Sequence, residues 1–229
     1  AIGTAKLFGI ELMSNFNFPY FSKNIGEFWR KWHISLSTWF KDYIYIPLGG
    51  SRGSSLLSLR NILIIFIISG FWHGANWTFI FWGFFHALLF LPFYFIGRNK
   101  NDKARSEVKK VKFNLFIDFL GILFTFLLVC VGWVFFRSET LADAFAFLHR
   151  VFADFSFDVY HHPRGYRLID YVVLLVFFLV FEYIIRKDER KPFNLKNKYV
   201  RFVCYLAVIL SLMLFYDDGV DRSFIYFQF

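Results

Sequence analysis

Charged residues are scarce in this sequence. Aspartate, glutamate, lysine and arginine together make up 19% of its 229 residues, while hydrophobic residues make up 57% and aromatic residues 24%. Soluble globular domains carry about a quarter charged residues and rarely reach such an apolar fraction. The composition, with a mean hydropathy of +0.47, therefore excludes an ordinary soluble domain and predicts an all-α integral membrane protein.

Cysteine is also scarce, and several familiar motifs are missing. The two cysteines, Cys130 and Cys204, each lie inside an apolar stretch, which excludes a disulfide framework and suits buried thiols that pack as small hydrophobic groups. The sequence contains no phosphate-binding glycine loop, no G-x-S-x-G motif and no zinc-finger spacing. We therefore predict no metal and no tightly bound cofactor.

Acidic residues are outnumbered, with 17 Asp and Glu against 26 Lys and Arg, a net charge of +9. The basic residues cluster between apolar segments rather than along one soluble face, which speaks against nucleic-acid binding. Cytoplasmic loops of a membrane protein carry the same excess. A basic patch for an anionic donor, such as a coenzyme A nucleotide, is compatible with it.

Apolar runs long enough to cross a bilayer, about 20 residues, recur along the chain. Four spans are predicted, at residues 78–96, 113–136, 168–185 and 199–216. A fifth run, Leu56–Ser69, contains Arg60 and Asn61 and is predicted to be a shorter, re-entrant or partly embedded helix.

The loops between these spans predict an orientation. Residues 97–112 and 186–201 each hold seven basic and two acidic residues, whereas residues 137–167 hold four of each. The positive-inside rule places the two basic loops in the cytoplasm and the balanced loop outside, with the C-terminus also outside. We expect residues 1–229 to form a single multi-pass membrane domain.

Two further helices are predicted from residue patterns. Between Phe28 and Tyr45, a helical period places the aromatic residues on one arc and the lysines and arginines opposite, as in a helix lying in the membrane interface. His33 is expected at the edge of that arc. In the outer loop, Thr140 and Asp143 predict a capped amphipathic helix without chemistry of its own.

His73 is the leading candidate for chemistry, within Gly-Phe-Trp-His-Gly-Ala-Asn-Trp at residues 70–77. A buried neutral imidazole can accept a proton from a hydroxyl, although a structural histidine bonded to a carbonyl is equally compatible with the residues alone. Gly70 and Gly74 are expected to let the backbone bend there, and Trp72 and Trp77 to wall a cavity.

The other histidines carry weaker signals. His86 follows Trp82 by four residues on the same helical face, and an interhelical hydrogen bond is the simpler interpretation. His161 and His162 are adjacent and suit a metal poorly. His149 belongs to the polar side of the outer helix.

Four stretches together resemble the membrane-bound O-acyltransferase family, in its bacterial branch that acetylates alginate. They are residues 28–52 (FWRKWHISLSTWFKDYIYIPLGGSR), 70–86 (GFWHGANWTFIFWGFFH), 131–145 (VGWVFFRSETLADAF) and the terminal SFIYFQF. The family's invariant histidine falls on His73 and its second motif histidine on His33. Lys31 stands where the family commonly has Arg, and Ala87 follows His86 where related enzymes usually have Gly.

The resemblance implies an O-acyltransferase in the bacterial inner membrane, with His73 as general base and His33 orienting or assisting. It implies acetyl-CoA or another acyl thioester as donor substrate, and a polysaccharide outside the cytoplasm, such as alginate, as acceptor. The expected tunnel residues are Trp29, Trp32, Trp72, Asn76, Trp77 and His86. Family members are longer, so the chain resembles their C-terminal part, and the expected partners are the lipid bilayer and other proteins of an acetylation or export system.

Rival functions stay open at this point. The acceptor could be peptidoglycan, or the reaction could be D-alanyl transfer to teichoic acid by a related protein. Outside the family, the residues are compatible with a transporter whose buried histidines relay protons, or with a non-catalytic export scaffold. A transporter predicts more paired intramembrane carboxylates than Asp118, Asp170 and Glu182 supply.

Overall fold

A computed structural model describes residues 2–101, 115–154, 168–186 and 197–214, and the regular structure within these ranges is helical. The α-helices are α1 (Ile2–Leu7), α2 (Ile25–Lys31), α3 (Ile34–Phe40), α4 (Ser55–His73), α5 (Trp77–Asn101), α6 (Leu115–Arg137), α7 (Leu141–Ala153), α8 (Leu168–Ile185) and α9 (Lys198–Leu214). A 3-10 turn at Pro19–Phe21 precedes α2, and a π-helical turn at Lys41–Tyr45 follows α3. The all-α prediction is confirmed.

Within the described ranges, three helices are long and apolar enough to cross a membrane: Ser55–His73, Trp77–Ile96 and Phe116–Arg137. The second and third match predicted spans. The prediction of a shorter, partly embedded helix at Leu56–Ser69 is wrong, because α4 runs for 19 residues through Arg60 and Asn61. The Asn61 amide donates to the carbonyls of Leu48 and Gly50 at 3.1 and 3.0 Å, so this polar pair anchors the preceding loop and does not interrupt the helix.

Helices α4 and α5 pack backbone to backbone along two glycines. A Cβ on Gly70 would clash with the Phe79 carbonyl, and one on Gly83 would clash with the Phe66 carbonyl. The predicted bend is therefore wrong at Gly70, since α4 continues through it, and confirmed at Gly74, the non-helical C-cap that follows the last helical residue, His73. Gly70 serves close helix packing of the kind that small residues permit in membranes.

The segment from Phe28 to Tyr45 is not the continuous interfacial helix that its period predicts. Helix α2 ends at Lys31, and α3 begins at Ile34 after His33, whose φ is 46°. The aromatic arc splits accordingly: Phe28 is buried, whereas Trp39 and Tyr43 are exposed. The Lys31 ammonium pairs with the Glu27 carboxylate at 2.6 Å. The positive charge at this position, which is commonly Arg in the family, therefore forms an ion pair.

Helix α7 begins as its cap predicts. Thr140 Oγ1 accepts from the Asp143 amide at 3.1 Å and donates to the Asp143 carboxylate at 2.6 Å. Ala144 is fully buried against Trp82 of α5 and Phe135 of α6, which confirms an amphipathic helix packed on the domain. At the opposite end of α6, Asp118 pairs with Lys23 at 2.6 Å.

The chain divides into two compact units, residues 1–159 and 160–229. Helices α1 to α7 belong to the first unit, and α8 and α9 belong to the second. The bounds of α8 coincide with the predicted span at 168–185, and those of α9 differ from 199–216 by one or two residues. His161, His162 and the terminal SFIYFQF lie outside the described residues, and the single-domain organisation stays a prediction.

Candidate active site

His73 is the last residue of α4 and lies among aromatic rings. Its imidazole centroid is 4.9 Å from that of Phe136 and 5.4 Å from that of Trp82, both nearly perpendicular to it, and 6.3 Å from that of Phe79. Its Nδ1 is buried, and no described residue hydrogen-bonds it. A structural role through Nδ1 would require such a bond, so the geometry favours a nitrogen kept available for another group.

His33 occupies the break between α2 and α3 in the left-handed region, which few residues other than glycine adopt. Its ring contacts Phe16 at 5.8 Å and Trp72 at 6.3 Å. Its Nδ1 is also buried without a hydrogen-bond partner among the described residues. Burial lowers the pKa of His33 below its usual value, so this imidazole is neutral at pH 7.

Asn15 holds this break in place. His33 stands at the N-cap position of α3 but gives no side-chain cap. Instead, the Asn15 side-chain oxygen accepts from both the amide and the hydroxyl of Ser35, at 3.0 and 2.9 Å, and the Asn15 carbonyl accepts from the Ile34 amide at 2.9 Å. Because Asn15 satisfies the helix terminus, the imidazole of His33 is free to face the aromatic rings.

Trp72 joins the two motif histidines. Its ring lies 5.0 Å from His73 and 6.3 Å from His33, although half of the Trp72 side chain is exposed. The structure therefore brings together the two residues that the sequence placed 40 positions apart.

His86 lies deeper, in α5, with 1% of its surface exposed. The rings of Phe28, Trp29, Trp82 and Phe85 surround it at 5.0 to 6.4 Å. A Cβ on Gly132 of α6 would lie 2.6 Å from His86 Nε2, so glycine makes room for the imidazole. Its Nδ1 has no hydrogen-bond partner among the described residues. Next to it, Ala87 is fully buried against Ile62 and Phe66.

Three tryptophans connect these histidines. Trp82 contacts both His73 and His86, and its ring lies 5.8 Å from Trp29 and 6.2 Å from Trp133. The indole nitrogens of Trp29, Trp82 and Trp133 are buried and unbonded within the described part of the chain. Buried polar groups are nearly always hydrogen-bonded, so a cluster of unbonded ones suits a polar ligand or ordered water.

The sequence did not single out Trp82 and Trp133 as site residues. The signals that could have found them are the four-residue spacing from Trp82 to His86 and the position of Trp133 directly after Gly132. Both become meaningful only once α5 and α6 are packed together.

The predicted tunnel residues have different placements. Trp29, Trp32 and His86 belong to the aromatic cluster, where Trp32 stacks on Phe28 at 5.5 Å. Trp77 is 73% exposed and has no described ring contact with the cluster. Asn76 accepts from the Thr78 amide at 3.1 Å and donates to the Glu139 carbonyl at 3.0 Å, so it ties the start of α5 to the α6–α7 loop.

Two cavities border the aromatic cluster. One, of about 390 Å³, lies between α2, α3, α4 and α5; it has Trp29 in its wall, and Arg30 and Lys41 also line it. The other, of about 430 Å³, lies between α6 and α7 with Trp133 in its wall. Each cavity therefore has one tryptophan of the cluster in its wall, while His33, His73 and His86 are not among the described residues that line either cavity.

Comparison with known proteins gives a consistent result. Residues 1–131 match the sequence profile of the membrane-bound O-acyltransferase family, MBOAT. The chain is 38% identical over 195 residues to the probable alginate O-acetylase AlgI of Azotobacter vinelandii, covering 84% of this chain and 36% of that protein.

Two other relatives are named for different reactions. The peptidoglycan O-acetyltransferase of Helicobacter pylori is 43% identical over 144 residues, which cover 63% of this chain and 26% of that protein. The teichoic acid D-alanyltransferase of Bacillus subtilis is 32% identical over 146 residues, which cover 61% and 36% respectively. The chain spans between 26% and 36% of the length of these three curated relatives.

Proposed function

The chain belongs to the membrane-bound O-acyltransferase family, and from that premise we propose that it carries the catalytic histidines of a bacterial inner-membrane enzyme. In this proposal the enzyme transfers an acyl group, most simply acetyl, from a thioester to a hydroxyl of a polysaccharide outside the cytoplasm. The observation that carries the proposal is His73. Its buried Nδ1 is unbonded among the described residues, and His33, Trp72 and Trp82 lie within one or two ring contacts of it.

The chemistry requires a base and forms no covalent bond between the acyl group and the enzyme. His73 accepts the proton of the acceptor hydroxyl as that oxygen attacks the thioester carbonyl. The tetrahedral intermediate collapses by breaking the carbon–sulfur bond, and the departing thiolate takes the proton from the imidazolium. The products are an ester and a free thiol, and the histidine returns to its neutral form. His33, neutral through burial, orients the acceptor or assists the proton transfer.

The two cavities suit two substrates of different chemistry. In the cavity between α2 and α5, Arg30 and Lys41 provide positive charge for the phosphates of a donor such as acetyl-CoA, beside apolar walls for its acyl chain. The cavity between α6 and α7 is left for the acceptor. Trp29 lines the first and Trp133 the second, so both substrates would reach the same aromatic cluster.

The reactions for which the relatives are named favour acetylation of alginate, with peptidoglycan acetylation and D-alanyl transfer as alternatives within the same chemistry. A proton-relay transporter is less well supported. In the three membrane-crossing helices described, the single carboxylate is Asp118, and it is paired with Lys23. We also propose that other proteins of an acetylation or export system supply the acyl group or the polymer.

Acyl transfer by the purified full-length protein tests this proposal. With radiolabelled acetyl-CoA and alginate oligosaccharides, the label should appear in the oligosaccharide as a base-labile ester, and free coenzyme A should be released in equal amount. A transporter or scaffold would leave the oligosaccharide unlabelled. Since the direct donor could be an acyl group relayed by another protein, the assay is repeated with membranes that contain the other proteins of the acetylation or export system. An unlabelled polysaccharide in both assays contradicts the proposal.

A further inference from the structure

We infer that the Ser69 hydroxyl donates a hydrogen bond to the carbonyl oxygen of the acyl group and stabilises the oxyanion that forms when the acceptor attacks. The inference rests on the proposed function and deepens it, because it adds a second catalytic residue to the helix that carries His73. The sequence pattern does not single out this serine, which lies in the apolar run of α4.

Ser69 is a buried residue in the wall of the cavity between α2, α3, α4 and α5. Its surface is 7% exposed, and the other α4 residues that line the cavity are apolar: Ile62, Ile65 and Phe66. A hydroxyl among apolar side chains needs a hydrogen-bond partner. The acyl end of a thioester bound in this cavity offers one such partner, its carbonyl oxygen.

The face of α4 that lines the cavity continues to His73. The lining residues follow the three- and four-residue spacing of one helical face, and His73 lies four residues after Ser69. Residues with this spacing have Cβ atoms about 5–6 Å apart, and helical side chains lean over the turn before their own. A carbonyl group between the two side chains is therefore within reach of a hydroxyl held by His73 and of the Ser69 donor.

The polar residues of the π-helical turn lie toward the other end of the cavity. The Tyr45 hydroxyl forms a hydrogen bond with the Tyr94 hydroxyl at 3.2 Å, and both rings pack against the cluster that contains Ile62. Ile62 precedes Ser69 by seven residues, about 10 Å along the helix. A donor with its phosphates near Lys41, at the start of the π-helical turn, and its acyl group at Ser69 therefore lies along α4 and presents its carbonyl toward His73.

Aromatic rings enclose this part of the cavity. Trp29 and Phe66 both line it, and their ring centroids are 5.1 Å apart. Trp29 also contacts Trp82 at 5.8 Å, and Trp82 contacts His73 at 5.4 Å. An apolar wall keeps water away from the carbonyl, and a hydrogen bond to a developing oxyanion stabilises it most where water is excluded.

Ser69 keeps its proton throughout the reaction. When the acceptor oxygen bonds to the carbonyl carbon and His73 takes the acceptor proton, the π electrons of the carbonyl move to its oxygen, which accepts the Ser69 hydrogen bond. These electrons re-form the carbonyl as the carbon–sulfur bond breaks and the thiolate leaves. The serine forms no covalent bond with the acyl group and is unchanged after each turnover.

Serine variants of the full-length enzyme test the donor. Their kcat and KM are measured with radiolabelled acetyl-CoA and alginate oligosaccharides, in membranes that contain the other proteins of the acetylation or export system. Loss of one oxyanion donor lowers kcat by about 10²–10³-fold, so Ser69→Ala should lower kcat by at least the smaller factor and leave the KM for the thioester nearly unchanged. Ser69→Thr keeps the hydroxyl and should recover most of the lost kcat.

Ser58→Ala is the matched control. Ser58 is another buried serine of α4, but it is not among the described residues that line the cavity. Its hydroxyl donates to the Ser54 carbonyl at 3.4 Å. Ser58→Ala should therefore leave kcat unchanged. Thermal midpoints are measured for all variants, and kcat is compared at a temperature where each of them is folded.

Two results would overturn the inference. One is a near-normal kcat in Ser69→Ala, which would leave the proposed function intact if His73→Gln is inactive. The other is an equal loss of kcat in Ser69→Ala and Ser69→Thr at unchanged thermal midpoints, since threonine retains the donor. Oligosaccharides that the unmodified enzyme leaves unlabelled would instead remove the proposed function, and the inference with it.

Discussion

At the residue scale, the site is defined by nitrogen atoms that the described protein leaves unbonded. They are the indole nitrogens of Trp29, Trp82 and Trp133 and the Nδ1 atoms of His33, His73 and His86. Leaving a buried donor or acceptor unpaired costs about 1–3 kcal/mol. Six such nitrogens in one ring cluster therefore destabilise the folded protein unless another molecule forms hydrogen bonds with them. Two of these residues, Trp29 and Trp133, also line the two cavities, and this arrangement is what links the fold to the proposed acyl transfer.

Residue motifs identified the histidines but not everything around them. His33, His73 and His86 could be found from the sequence because their aromatic and glycine neighbours form recognisable motifs. Asn15 could not, because its amide acts on Ser35 across 20 residues and that contact exists only after the chain turns at Phe18. Trp133 likewise reaches its partners from another helix.

Asn15→Ala should weaken the break that positions His33. The loss of one helix cap costs about 1 kcal/mol, so the thermal midpoint should fall by a few degrees, and acyl transfer should fall further than that stability loss explains. Asn17→Ala is the control, because Asn17 contributes its backbone amide, which donates to the Lys31 carbonyl at 2.9 Å. Equal activities of the two variants at a temperature where both are folded would contradict a positioning role for Asn15.

At the element scale, a helix end set by neighbouring residues is predictable from the sequence, whereas one set by a distant segment is not. The cap of α7 was predictable, since Thr140 and Asp143 act within one turn. The break after α2 was not, because the aromatic period continues through it, and the interruption comes from hydrogen bonds to a distant segment. The full length of α4 is not predictable either, because Arg60 and Asn61 interrupt the apolar run, and the role of Asn61 as a donor to the Leu48 and Gly50 carbonyls depends on the folded loop.

The contact between α4 and α5 depends on two glycines, so Gly83→Ala should be strongly destabilising. The added Cβ would clash with the Phe66 carbonyl of α4, and backbone atoms cannot move aside without separating the helices. Overpacking of this kind costs about 1–3 kcal/mol. Gly3→Ala, whose Cβ would meet no atom within 4 Å, is the control. Thermal unfolding in detergent compares them, and equal midpoints would show that α4 and α5 are held together by other contacts.

At the scale of the whole molecule, the helices predict which loops share a side of the membrane. If α4 crosses the membrane, as its length and composition allow, the loop before it lies on the opposite side from the α4–α5 loop. The bond from Asn76 to Glu139 then places the α6–α7 loop on the same side as the α4–α5 loop. Combined with the positive-inside rule, this puts residue 51 in the cytoplasm and residue 139 outside.

Cysteine labelling measures that topology. In intact cells, an impermeant thiol reagent should label a Glu139→Cys protein and leave a Ser51→Cys protein unlabelled until the cells are permeabilised; both positions are exposed. Cysteines in the basic loops at 97–112 and 186–201 should behave like Ser51→Cys. Labelling of residues 51 and 139 from the same side would remove α4 as a membrane-crossing helix.

The most direct test of the central claim, that His73 accepts the proton of the acceptor hydroxyl, is the turnover of the His73→Gln enzyme. Glutamine keeps a comparable size and hydrogen-bonding capacity but takes no proton at neutral pH. A general base contributes about 10²–10⁴-fold, so kcat of the full-length enzyme with acyl thioester and polysaccharide should fall at least 100-fold, as far as in His73→Ala. Trp77→Phe, at an exposed position, should stay near wild type. Near-normal kcat in His73→Gln, with His73→Ala inactive, would contradict proton abstraction and leave His73 a role in hydrogen bonding and packing.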